Sequence, residues 1–148
     1  MIQKFDLHII NRLKKLEMPL ARSAIFIIYF WFGLLKLLGV SPAVALVEEL
    51  FLETTRFVSF STFYLFFSIF EMTIGFLFLV RGWERFVIFL LGIHLFVTVL
   101  PLIFLPQVTW QGFFIPTLEG QYIIKNILIA AVAVVVGSKL VPILKTNL

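Results

Sequence analysis

Residues 60–80 read FSTFYLFFSIFEMTIGFLFLV, an apolar run with a single carboxylate, Glu71, at its centre. A hydrocarbon core of ~30 Å takes about 20 helical residues, so the run is long enough to span a bilayer. Glu71 lies about eleven residues into it, which at ~1.5 Å per residue is ~16 Å deep, near the midplane. A charge at that depth costs at least ~2.5 kcal/mol on insertion scales. From there the side chain cannot snorkel, so it must be protonated, paired or in contact with water. Any fold the chain adopts has to give that carboxylate a partner.

Composition supports a membrane setting. The 148 residues are 61% hydrophobic and 14% charged, with mean hydropathy +1.10, whereas a soluble domain carries about 25% charged residues. Such a surplus exceeds the needs of one soluble core and predicts a polytopic membrane protein forming a single domain over 1–148. The nineteen Phe residues suit lipid-facing packing. The net charge of +4 does not point to nucleic acid, because the basic residues cluster at the ends of apolar runs. With no Cys, the chain by itself supports no disulfide exchange, thiolate metal site or iron–sulfur cluster. Residues 1–17 lack the apolar core and the small-residue cleavage site of a cleavable signal.

Taken in order, residues 2–17 place Ile2, Phe5, Ile9, Leu13 and Leu16 at spacings of three and four, with Lys4, Arg12, Lys14 and Lys15 mostly elsewhere. This predicts a basic amphipathic helix lying on the membrane surface, or alternatively docking a partner. Spans follow at about 20–40, 60–80, 86–105 and 122–144. Between the first two, Ser41 and Pro42 predict the cap and first position of an outer surface helix over about 42–56. Its Leu46, Val47, Leu50 and Phe51 form one face, and Glu48, Glu49, Glu53 and Arg56 the other. Pro101 should kink the third span near its far end. Residues 106–121, with two Pro and two Gly, predict an outer loop with Trp110 at interface depth. Thr117 can cap the fourth span, with Glu119 in its first turn. The fold class expected is all-α: a membrane four-helix bundle flanked by interfacial amphipathic helices.

Four spans put both termini on one side. Lys4, Arg12, Lys14, Lys15, Arg22, Arg81, Arg85, Lys139 and Lys145 fall there, whereas the opposite loops hold only Arg56 against Glu48, Glu49, Glu53 and Glu119. The positive-inside bias then predicts cytoplasmic termini.

Each span carries a row of small and polar residues at helical spacing. These are Tyr29, Gly33 and Lys36 on the first, and Ser61, Tyr64, Ser68, Glu71 and Gly75 on the second. The third has His94, Thr98 and Pro101; the fourth has Tyr122, Asn126, Ala130, Ala133 and Gly137, with Lys125 beside them. In lipid, small residues and side-chain hydrogen bonds mark helix contacts, so these rows are expected to face the bundle interior. The plain alternative is that they only hold helices together. Counting residues from the outer ends sets Glu71 and His94 near the midplane, with Lys36 and Lys125 ~6 Å below the outer surface. The expectation is a Glu71–His94 pair, or a lysine reaching down to Glu71, inside a small polar cavity open to the outer side. Lys36, Glu71, His94, Lys125 and Asn126 are the candidate ligand-binding residues; no catalytic or metal set is visible. His8 lies in the surface helix, and a His94–Met72 haem ligation has no further support.

FWFGLLKLLG around Gly33 and Lys36, FEMTIGFLFLVRG over 70–82 and EGQYIIKNILIAA over 119–131 resemble the DoxX-like family of small bacterial membrane proteins. The matching positions are Gly33, Lys36, Glu71, Gly75 and Gly82, and the resemblance covers most of 20–140. It implies a four-helix bundle in the bacterial cytoplasmic (inner) membrane. Some members are subunits of a thiosulfate:quinone oxidoreductase and others serve oxidative-stress defence. A branch using paired cysteines does not carry over to this cysteine-free chain.

Three functions follow as expectations. One is a quinone-interacting subunit of a redox or oxidative-stress complex, with Lys36 and Lys125 donating to a carbonyl and Glu71 and His94 handling protons. A second is a non-catalytic scaffold or assembly subunit with a protein partner or a second copy of itself. A third is a small proton or anion carrier, for which one bundle without inverted repeats is small.

Overall fold

The structure is a computed structural model and describes residues 2–55 and 57–141. Arg56, Lys145 and the expected end of the fourth span at 142–144 lie outside the described residues. Four helices are long and apolar enough to cross a membrane, as the sequence predicts.

The first, α1 (Ile2–Leu37), differs from expectation by being one helix of 36 residues with Pro19 inside it. The surface helix over 2–17 and the span from 20 are therefore continuous. Proline removes one backbone hydrogen bond, but Leu16, Glu17 and Met18 before it and Leu20, Ala21 and Arg22 after it all favour helix. Residues 4–16 are exposed all round, so the first turns of α1 prolong its axis beyond the bundle.

The short α2 (Val44–Thr54) starts two residues later than predicted. Ser41 does not cap it; the Ser41 hydroxyl accepts from the Ala43 amide at 3.3 Å and shapes a turn instead. Phe51 seats α2 against Phe60 and Phe63, with ring centroids 5.7 and 4.9 Å away. Next, α3 (Phe60–Leu79) is capped by Ser59, whose hydroxyl accepts from the Thr62 amide.

The third span behaves as its proline predicts. It runs as α4 (Glu84–Val99), turns at Leu100 and resumes as the single turn α5 (Pro101–Phe104). The segment read as an outer loop contains a turn, α6 (Pro106–Thr109), and two short antiparallel strands, β1 (Trp110–Gly112) and β2 (Ile115–Pro116). The fold is mostly helical as expected, with this small hairpin added between the third and fourth spans. The hairpin is held by Thr109, which donates to the Pro101 and Leu105 carbonyls, and by the Trp110 indole, which donates to Leu102 O at 3.0 Å. The indole bond satisfies the Leu102 carbonyl, which Pro106, lacking an N–H, leaves without a helical partner, whereas the Pro101 and Leu105 carbonyls also accept backbone amides. Finally, α7 (Leu118–Ser138) starts at the expected cap, with the Gly120 amide donating to the Thr117 hydroxyl at 3.1 Å.

The four long helices close on themselves, α1 packing on α3 and α7, and α4 on the same two. One core unites them: Ile25 and Tyr29, Ile74 and Phe78, Val87 and Leu91, Ala133 and Val136. The tightest crossing is α1 on α3. A Cβ on Gly33 would sit 2.8 Å from Ser68 O and 2.7 Å from Met72 Cγ; one on Gly75 would sit 2.7 Å from Phe30 N. Two glycines, one per helix, thus let the backbones meet. At the basic end, Arg22 donates to Phe78 O and Val80 O at 2.6 and 3.1 Å and pairs with Glu84 at 3.0 Å. One guanidinium thereby ties α1 to the end of α3 and the start of α4.

Gly75→Val should lower stability by about 1–3 kcal/mol, because backbone faces the new side chain and cannot yield. Gly92→Ala, with open space at its Cβ, should be neutral or slightly stabilising. Thermal melts of the two variants in one detergent check the contrast.

Candidate functional site

Helical spacing places Tyr29, Gly33 and Lys36 on one stripe of α1, and Tyr64, Ser68, Glu71 and Gly75 on one stripe of α3. Gly33 packs on Ser68 and Met72, which sets Lys36 about one turn nearer the acidic end than Glu71. Helical side chains lean back toward the N-terminus of their helix. For Lys36, near the end of α1, that direction leads inward, toward Glu71 and away from snorkelling.

The result is a chain of four side chains from three helices. Lys36 Nζ lies 2.6 Å from Glu71 Oε2. His94 Nε2 lies 2.8 Å from Glu71 Oε1. The Tyr29 hydroxyl lies 3.1 Å from His94 Nδ1. Relative exposures are 7% for Lys36, 4% for Glu71, 5% for His94 and 4% for Tyr29, so this is interior and not a surface ion pair. Glu71 thus has both expected partners at once, the histidine and the lysine.

A carboxylate only accepts, so with Glu71 ionised Nε2 of His94 carries hydrogen; in the neutral ring Nδ1 then accepts from the Tyr29 hydroxyl. In that arrangement every donor in the chain points toward Glu71. The Phe67 ring stacks on His94 at 5.2 Å and 13°, and Lys36 Nζ lies 5.6 Å from the centroid of the same ring. Phe63 stacks on Phe67, and Phe51 packs on Phe63, so an aromatic column leads from α2 to His94. Beside it, the Tyr64 hydroxyl is buried near the Ser41 side chain, without a closed hydrogen bond among the described residues.

Other predicted residues lie elsewhere. Lys125 is exposed on α7, its ammonium 4.9 Å from the Tyr122 ring centroid, so it is not the second inward lysine. The buried positions of α7 are Gly120, Ile123, Ala133 and Val136; of the expected row Ala133 is buried, Asn126, Ala130 and Gly137 are half-buried, and Tyr122 is exposed. Near a helix end the polar groups of Tyr122 and Lys125 reach the interface, and nothing forces them inside. Asn126 is half-buried and donates to the Thr98 hydroxyl at 3.5 Å, joining α7 to α4 away from Glu71. Gly33, Ser68 and Gly75 are at the α1–α3 crossing, as expected. In place of an open polar cavity around Glu71, protein groups engage both carboxylate oxygens. An apolar groove of about 310 Å³ between Phe30, Leu37, Ile69, Met72, Thr73 and Phe76 lies on the outside of the same crossing. Among the described residues no three His, Asp or Glu side chains converge as metal ligands would.

The sequence reading overlooked two features. Phe67 precedes Glu71 by one helical turn, and that spacing could have marked it as the ring over the network. The Arg22–Glu84 pair was signalled by opposite charges at the same end of the first and third spans. No protein-family model matches the chain, and no curated protein or solved structure matches it.

Removing one partner of a buried ion pair strands the other, so Glu71→Leu and Lys36→Met should each cost about 3–5 kcal/mol. The double variant should cost much less than the sum. A double-mutant cycle on thermal stability in detergent measures that coupling.

Proposed function

We propose that this chain is a DoxX-like protein of the bacterial cytoplasmic membrane, with cytoplasmic termini, serving as a quinone-interacting subunit of a redox or oxidative-stress complex. The observation that carries this reading is the continuous Lys36–Glu71–His94–Tyr29 chain, which gives a proton donor and acceptor set beside an aromatic column. A quinone takes up two electrons and two protons on reduction. In this reading the electrons come from a redox partner in the complex, and the network supplies or receives the protons. Two features fit a quinone. The buried Tyr64 hydroxyl is a donor for a ring carbonyl, and stacked Phe63 and Phe67 present flat apolar surface. The groove beside Met72 and Phe76 suits an isoprenoid tail.

One observation favours a scaffold instead. Both Glu71 oxygens are satisfied within the protein, so the network is complete as a structural keystone. The exposed turns at 4–16 would then be a partner surface.

Purification from native membranes, followed by mass spectrometry of the extracted lipid, separates the two. The quinone reading expects co-purified quinone that falls about fivefold in Tyr64→Phe, the loss of one hydrogen bond. Folded protein free of quinone, in a stable complex that Glu71→Gln leaves intact, would establish the scaffold.

A further inference from the structure

A crevice at the basic end belongs neither to the Glu71 network nor to its aromatic column. It measures about 210 Å³ and is lined by Met18, Pro19, Arg22, Ser23, Leu79 and Arg81. Arg22 uses Nε and Nη2 on α3 carbonyls and Glu84, leaving Nη1 without a partner among the described residues. Arg81 follows α3 in the turn at Gly82, is exposed, and makes no hydrogen bond or ion pair among the described residues. Lys15 lies one turn before Met18 and Pro19 on the same stripe of α1. Glu17 pairs with Lys139 at 2.8 Å, and Glu84 pairs with Arg22 at 3.0 Å.

The crevice therefore joins a cationic rim to apolar walls. It lies at the end of α3 and at the level where α1 leaves the bundle, the depth at which phospholipid phosphates lie. The geometry points to a seat for the phosphate diester of an anionic phospholipid. The phosphate sits between Arg22 Nη1 and Arg81, with the Ser23 hydroxyl as a further donor. The start of the acyl chains rests on Met18, Pro19 and Leu79. Guanidinium suits this role, because its planar donors match phosphate oxygens. Basic recesses between membrane helices are recognised lipid head-group sites. Free phosphate shares the anionic chemistry but has no use for the apolar walls. Arg22 itself is committed to the fold, and its clasp on Phe78 and Val80 holds the Arg81 turn in place over the crevice.

The test is native mass spectrometry of the purified full chain with phosphatidylglycerol, phosphatidylcholine or orthophosphate added, with helicity checked by circular dichroism. Phosphatidylglycerol should be retained over phosphatidylcholine, and Arg81→Gln should reduce its retention about fivefold. Ser23→Leu fills the crevice while keeping every charge and should reduce retention as well, which guards against misfolding of the first variant. Lys4→Gln removes an equal charge ~27 Å along α1 from Arg22 and should change nothing. Equal losses for Lys4→Gln and Arg81→Gln, or equal retention of the two lipids, would overturn the seat. Full displacement of phosphatidylglycerol by millimolar orthophosphate would reassign it to free phosphate.

Discussion

The bond between Glu71 and Lys36 is the constraint on which the bundle depends. A carboxylate so deep in an apolar helix is tolerable only with a cation in direct contact, because the low dielectric penalises a lone charge. Lys36 can supply that cation only if α1 and α3 run close together. The two glycines at the crossing, Gly33 and Gly75, make the approach. Without them the backbones would stand farther apart, and the 2.6 Å contact would have to stretch or break. Electrostatics and packing at this crossing are thus one device, with a glycine about one turn toward the basic end from each charged partner.

The second Glu71 oxygen brings in α4 through His94, and His94 brings back α1 through Tyr29. Three helices are therefore fixed in rotation by directional bonds, which apolar packing in lipid would leave free. Helix α7 has no part in this. It joins through Ile123, Ala133 and Val136 and through the long Asn126–Thr98 contact. Arg22 at the basic end fixes the same three helices by a different chemistry, binding the carbonyls at the end of α3 together with Glu84 of α4. α1, α3 and α4 are thus pinned at two depths, and the fourth helix packs against them.

What the sequence disclosed follows the same physics. The four apolar helices were legible from run length, because lipid requires uninterrupted helix. The Glu71–His94 pairing was legible from depth, because each side chain needed a partner at its own level. Lys125 was misread because depth says nothing about rotation: a shift of one residue turns a side chain by about 100°, and near the interface both directions are tolerable. The continuity of α1 was hidden because Pro19 and a change of composition coincide, and a change of environment was read as a break in the backbone. The hairpin was hidden because it is held by Thr109 and Trp110 reaching back to carbonyls of the preceding turn, a tertiary effect without local periodicity.

The direction of the hydrogen bonds bears on what the network can do. With Glu71 ionised and His94 neutral, all donors point to Glu71, and the chain ends at Tyr29, whose hydroxyl has no second partner among the described residues. For a proton to move from Glu71 to His94, the ring must first accept at Nε2, which requires the other tautomer and a Tyr29 hydroxyl turned to accept. Among the described residues the chain stops at Tyr29, so the lysine ammonium and the histidine ring converge on the two oxygens of one carboxylate, and Tyr29 acts on Glu71 only by orienting the ring between them.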